Sequence, residues 1–341
     1  MRVLVTGHRG YIGVEMVPAL RAAGFEVVGL DAGYFDACDF LSPPDEVENL
    51  EVDLRSVRAD QLRGVHAIVH LAALSNDPLG DVNPNLTYDI NLEASLRLAR
   101  LAKDAGVQRF LFSSSCSLYG AGGDGWLDEQ AAFYPVTPYG ESKVRVEQGL
   151  SKLADGSFSP VYLRNATAYG VSRRLRCDIV VNNLVAAAVT TGKVLLQSDG
   201  TPWRPLVHIG DIIGAFAACL AAPRESIHDQ AFNVGRTSEN FQIRDVANLV
   251  AEIVADCEVA FAPGAAADAR NYRVNFDKIA RQVPTFQPQW TLRAGIEELL
   301  RAYRRAPLTK EEFQGSKYIR LRTIRGLQER GLVDEAFRWK R

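Results

Sequence analysis

Residues 2–13, "RVLVTGHRGYIG", decide how the chain is read. "RVLVTG" has the apolar, β-branched character of a short buried strand, and it runs into Gly7, Gly10 and Gly13 at the head of a helix-period segment, "YIGVEMVPALRAAG". Glycines between a strand and a helix let the chain turn tightly and let its backbone approach a pyrophosphate at the helix N-terminus. The pattern alone is weak in a chain with 27 glycines; its position gives it weight. Asp31 closes the next strand, "EVVGLD", 18 residues beyond Gly13, the spacing that sets a carboxylate on a ribose diol. Such a carboxylate accepts two hydroxyls and repels a 2′-phosphate, so the expectation is NAD over NADP. Arg9, a guanidinium inside the loop, is the counter-signal.

Outward from this stretch, "HAIVHLAA" (66–73), "RFLFSSS" (109–115) and "PVYLRNA" (160–166) also read as strands, and the early ones are apolar enough to be buried on both faces. Between them, "LTYDINLEASLRLARLAKDAG" and "YGESKVRVEQGLSKLADG" carry apolar residues at helical spacing and stop at glycine. Alternation of this kind predicts an α/β, doubly wound parallel sheet over residues 1–170. Pro18 should kink the first helix or shift its register. A looser pattern over 171–307 predicts a smaller, mixed α/β lobe, with some segments returning to the first domain. Residues 308–341 form a basic, helical extension.

Composition narrows the function. Net charge is −2, which gives no global pull toward nucleic acid or membrane, although Arg301–Arg341 holds twelve Lys/Arg against five Asp/Glu. A solvated or oligomer-facing tail is the reading of that segment. Cys38, Cys116, Cys177, Cys219 and Cys257 are odd in number and widely spaced, which predicts free thiols. Neither they nor the five histidines form a metal-ligand grouping, so no metal is assigned. A start at "MRVLVTG" and the lack of a long apolar run lead to the expectation of a cytoplasmic protein.

"TPYGESK" places Tyr139 and Lys143 one helical turn apart behind Pro138. An ammonium beside a phenol favours the phenolate and makes a usable general base. A Y-x-x-x-K arises readily by chance; downstream of a dinucleotide fold and of a strand ending in three serines, it reads as a catalytic pair.

Together, Gly7-x-x-Gly10-x-x-Gly13, the "FSSSCSLYG" strand end, Tyr139-x-x-x-Lys143 and the chain length resemble the extended short-chain dehydrogenase/reductase family, and within it the nucleotide-sugar epimerases and dehydratases of the UDP-galactose 4-epimerase type. The resemblance covers residues 1 to about 307 and implies a Rossmann-type NAD-binding domain (1–170), a nucleotide-sugar-binding lobe (171–307), a nucleotide-diphosphate-sugar substrate, and a homodimer joined through the 86–106 and 138–155 helices. It implies that Tyr11 and Ile12 sit under the pyrophosphate and that Asp53 and Leu54 contact adenine. Leu71, Ala72, Ala73 and Ser75 would flank the nicotinamide ribose, with Asn91 in support. Asn183, Arg204 and Arg270 would hold the substrate diphosphate, and Arg173, Arg174 and Arg176 add charge nearby or form a surface loop. Thr167 stands where the family carries asparagine in a substrate contact.

The resemblance further implies that Ser115 hydrogen-bonds the substrate oxygen deprotonated by Tyr139, while Ser113 and Ser114 serve backbone and cofactor. A 4,6-dehydratase would carry Asp-Glu at the next two positions; Cys116 and Ser117 stand there instead. The expected activity is therefore NAD-dependent 4-epimerisation through a transient 4-ketosugar. The alternative is an NAD(P)H-dependent ketosugar reductase, with C3/C5 epimerisation through Cys116.

Overall fold

The computed structural model describes the chain apart from residues 44, 76–79, 81–82, 124, 265–269 and 341. Its first layer grows from seven strands: β1 (Arg2–Thr6), β2 (Glu26–Asp31), β3 (Glu48–Glu51), β4 (Ala67–His70), β5 (Arg109–Ser115), β6 (Ser159–Asn165) and β7 (Gln230–Val234). They form one parallel sheet in the order β7-β6-β5-β4-β1-β2-β3. The strand order reverses between β1 and β4, and the carboxyl ends of strands at such a point form the ligand crevice of a doubly wound fold. This is a Rossmann-type sheet. Val3, Leu4, Val5, Ile68 and Val69 are fully buried, as a sheet covered on both faces requires. Each such side chain contributes roughly 1.5–3 kcal/mol.

Two strands carry little signal in the sequence. β3, "ENLE", is an edge strand with no buried residue, so it lacks the apolar signature that marks a central strand. β7, "QAFNV", is a segment that returns to the main sheet, where it pairs with β6 from Gln230↔Val161 to Val234↔Asn165.

The helices that set the site are α1 (Gly13–Ala22), α2 (Ala94–Asp104) and α3 (Pro138–Ser151). α1 runs on through Pro18, with Glu15 in its first turn and Arg21 in its last. The mixed lobe is built on α4 (Val180–Thr191), α5 (Leu292–Arg305) and a strand, Trp203–His208, flanked by Thr167–Tyr169 and Asn240–Gln242. Beyond α5 lie a short helix, Lys310–Gln314, and α6 (Arg320–Glu329). The extension is not a solvated tail: Ile324, Leu327, Val333 and Phe337 are buried against Leu74, Leu86 and Ile90 of the first domain. No helix among the described residues is long and apolar enough to cross a membrane. All five cysteines are free.

Candidate active site

A cavity of about 770 Å³ opens along the carboxyl ends of the sheet and continues into the mixed lobe. At its floor, Gly7 has φ +71°, and a Cβ there would stand 2.9 Å from the Ala72 amide nitrogen. A Cβ on Gly13 would stand 2.2 Å from the Gly7 carbonyl oxygen. Glycine is thus required at both places, to turn the chain and to bring α1 close enough for its amino end to face the cavity. Tyr11 lines the cavity but sends its hydroxyl to the Gly170 carbonyl at 2.7 Å, tying the glycine loop to the opposite wall.

At the end of β2, Asp31 accepts the Arg9 amide at 3.0 Å and the Gly33 amide at 2.8 Å. Burial pushes its carboxyl above the ordinary range, while those two amides and the guanidinium groups of Arg9 and Arg174 pull it back. One amide per oxygen leaves acceptor capacity on both, which suits a ribose diol. Arg9 is engaged elsewhere, 2.7 Å from Asp36 and 3.8 Å from Glu51. Asp53 and Leu54 line the same end; Asp53 holds Arg55 through Nη2 at 2.6 Å and Nε at 2.9 Å. The cradle fits an NAD-type dinucleotide.

At the other end, Thr137 caps α3 by accepting the Gly140 amide at 3.1 Å, and this sets Tyr139 and Lys143 on the inward face. Lys143 Nζ donates to the Ser113 carbonyl at 2.7 Å and lies 5.4 Å from the Tyr139 ring centre and 4.6 Å from that of Phe112. Burial pulls the Lys143 pKa down to about 7, with Glu147 opposing. The strand's alternation separates the serines. Ser113 accepts from Asn165 Nδ2 at 3.0 Å, and Ser115 donates to Ser117 Oγ at 3.0 Å while accepting the Ser117 amide. Ser114 instead donates to Glu147, which pairs with buried Arg164 at 2.7 Å and anchors α3 to β5 and β6.

Leu71, Ala72, Ala73, Ser75, Gly10, Ile12, Thr167, Asn183, Arg204 and Arg270 all line the cavity. Asn183 Nδ2 donates to the Cys177 carbonyl at 2.8 Å, and Arg204 donates to the Arg270 carbonyl, joining those two arginines. Asn91 stands behind the lining rather than in it: from a π-helical segment, Tyr88–Glu93, it accepts the Leu74 amide at 2.8 Å and donates to the Leu74 carbonyl at 3.1 Å, and so supports the loop after β4. One expectation is corrected: Cys116 does not line the cavity. The chain turns into a 3₁₀ segment, Cys116–Tyr119, which points Sγ at the Arg164 carbonyl 3.2 Å away and buries the thiol in the core. Burial raises its pKa far above the ordinary thiol value, the reverse of what a proton-transfer cysteine needs.

Sequence reasoning gave Ser117 no place in the site, although it lines the cavity from that same turn, and it read Arg176 as nearby charge without its partner Asp178, joined to it at 2.8 and 3.1 Å. It also missed Arg320 and Ile324 of α6. Ser117 had a signal, the serine two residues past the strand end; the others are brought in by tertiary packing alone.

A glycine cradle with a half-buried carboxylate beside it, and a tyrosine–lysine pair at the far end of the same cavity, are the arrangement of an enzyme that works on a bound dinucleotide. The chain belongs to the NAD dependent epimerase/dehydratase family, whose model matches residues 3–235. It is 31% identical over 319 residues to UDP-glucose 4-epimerase of Mycolicibacterium smegmatis, covering 89% of this chain and 99% of that one. It is 26% identical to UDP-glucuronic acid decarboxylase 1 of Arabidopsis thaliana, covering 92% of this chain and 72% of that one. MoeE5, solved in complex with UDP-glucuronic acid and NAD, superposes with a TM-score of 0.78 at 28% identity, over 90% of this chain and 100% of that one. NAD is the cofactor.

Proposed function

We propose that the chain is an NAD-dependent nucleotide-sugar 4-epimerase. One observation carries the reading: the catalytic end of the cavity offers Ser115, Ser117, Tyr139 and Lys143, with no uncommitted carboxylate among the described lining residues. The lining carboxylates are Asp31, Asp53 and Asp178, held by the Arg9 and Gly33 amides, by Arg55 and by Arg176. Dehydration at C5–C6 needs an acid and a base of its own beside the sugar, and neither Cys116 nor Ser117 supplies one. Epimerisation at C4 needs only one proton acceptor that later gives the proton back.

In this reading Tyr139 takes the C4 hydroxyl proton, and the Lys143 ammonium stabilises the phenolate. Ser115 hydrogen-bonds the same sugar oxygen and fixes its position. Bound NAD supplies the acceptor, and afterwards the donor, of the C4 hydride. After the ketosugar turns within the pocket, Tyr139 returns the proton, so no net oxidation occurs. Asn183, Arg204 and Arg270 hold the nucleotide diphosphate, and Thr167 lines the sugar's path. Asp31 receives the adenosine ribose, Asp53 and Leu54 flank adenine, and Ser75 with Leu71–Ala73 flanks the nicotinamide ribose. The reductase alternative loses both its supports, since Arg9 is paired with Asp36 and the Cys116 thiol is turned into the core.

The reading is tested by denaturing protein purified without added cofactor and identifying what it releases by mass. Near-stoichiometric NAD or NADH, followed by interconversion of UDP-glucose and UDP-galactose or of the corresponding uronic acids, is the expected result. An empty protein that prefers NADPH and reduces a ketosugar would sink it. Two substitutions refine the test. Asp31→Ala should lower the preference for NAD over NADP by about 10- to 100-fold, the worth of hydrogen bonds to a charged group, in fluorescence titrations of the two cofactors. Cys116→Ala should leave kcat within a few-fold of wild type; loss of solvent deuterium uptake at C3 or C5 in that variant would restore the thiol to the chemistry.

A further inference from the structure

The extension beyond α5 closes one half of the cavity. Arg320 and Ile324 of α6 line it together with Tyr34 and Phe35, from the turn after β2, and Leu74 and Ser75, from the loop after β4. Those two loops flank β1, so α6 bridges the point where the strand order reverses. A dinucleotide crosses the sheet there, with its diphosphate at the amino end of α1.

Arg320 is only 2% exposed. Its Nη2 donates to the Arg174 carbonyl at 2.8 Å, its amide to Asp178 at 3.2 Å, and its guanidinium lies 4.4 Å over the Phe35 ring. Nη1 is buried and has no hydrogen-bond partner among the described residues. Asp178 is already held by both Nε and Nη2 of Arg176, which is itself buried and lines the cavity. Two buried guanidinium groups therefore face the cavity with one carboxylate between them. A desolvated cation in that position is costly unless an anion pairs with it. The same arginine-rich loop touches the glycine loop, through Ser172 Oγ to the Tyr11 carbonyl at 2.7 Å and Arg174 Nε to the Arg9 carbonyl at 3.2 Å. The surplus positive charge thus stands beside the phosphate cradle.

We propose that the C-terminal extension clasps the adenosine-diphosphate half of the cleft and that Arg320 is a ligand of the dinucleotide's diphosphate. Its outer end reaches the adenosine side. Trp339 Nε1 donates to the Ala32 carbonyl at 2.5 Å and stacks on Tyr34 with ring centres 5.8 Å apart, and Arg338 donates to Ser56 Oγ at 3.3 Å. The proposal rests on NAD as cofactor and is independent of which sugar chemistry follows.

Calorimetric titration of cofactor-stripped protein with NAD, ADP and adenosine tests it. In Arg320→Gln, ADP and NAD should bind about 10- to 100-fold more weakly and adenosine unchanged, with Arg320→Lys intermediate. Equal weakening of ADP and adenosine would reduce Arg320 to a packing role and overturn the proposal, as would unchanged ADP binding. Should the Gln variant not fold, the unaltered chain serves: Arg322, Arg325 and Arg330 are exposed, so trypsin reports on α6. ADP should slow those cuts much more than saturating adenosine; equal protection, or none, overturns the proposal. Wild-type protein that binds no NAD at all would refute the cofactor assignment itself, and this proposal with it.

Discussion

Tyr139→Phe protein should leave the column with as much dinucleotide as wild type and turn over about 10²–10⁴-fold more slowly, the worth of a positioned general base. The ring is kept, and with it the contact to Lys143 Nζ 5.4 Å away, so the cleft keeps its shape. Two other phenols of the lining are committed elsewhere: Tyr11 donates to the Gly170 carbonyl, and Tyr34 donates to the Phe337 carbonyl. The loss should fall on kcat, with KM for the nucleotide sugar little changed, because the phenol oxygen acts on the proton in transit. Single-turnover measurement of ketosugar formation decides it; a variant within a few-fold of wild type would mean that another group is the base.

Lys143→Met should remove about 10²-fold or more of turnover and yet make the protein harder to unfold at neutral pH. The lysine is buried, and its charged form is disfavoured there, which pulls its pKa from 10.5 to about 7. Between those values the unfolded chain holds a proton that the folded chain has released, so the stability associated with this lysine rises with pH across that window. Below about pH 7 the cost of burying the ammonium is at its full value and constant. Methionine removes that cost, so its advantage in Tm should be largest at pH about 7 and below and should fade toward pH about 10. Paired thermal melts at both ends of the window check it. An advantage that grew with pH would mean that the ammonium is stabilised in place rather than destabilised.

The parts of the fold that were legible in the sequence are those whose signals are local. The glycines before α1 and the apolar runs of β1, β2, β4 and β5 announce a crevice, and Tyr139 and Lys143 share a face of one helix. What was hidden depends on distance or on a change of direction. The edge strand Glu48–Glu51 has no fully buried residue and only Leu50 packs against the core, so it carries no apolar run. Cys116 looks like the next residue of a catalytic strand, but the strand ends at Ser115 and the 3₁₀ turn carries the thiol into the core. In the extension, Ile324, Leu327, Val333 and Phe337 are scattered among arginines, and their partners lie more than two hundred residues earlier. No window of sequence holds both halves of that cluster. The arginines read as a solvated face, whereas Arg320 is buried by that same packing.

The position of the clasp also sets an order of events during synthesis. Tyr34 and Asp53 are made well before Trp339, so the seven strands of the parallel sheet, the last ending at Val234, can assemble while the extension is still unmade. The contact between Tyr34 and Phe337 closes a loop of 303 residues, which slows its formation relative to the local βα units. A newborn chain therefore presents an open cradle before it presents a closed one. Under the proposed clasp, cofactor taken up in that interval is enclosed when α6 docks, and its release requires the extension to open as well as the cradle to let go.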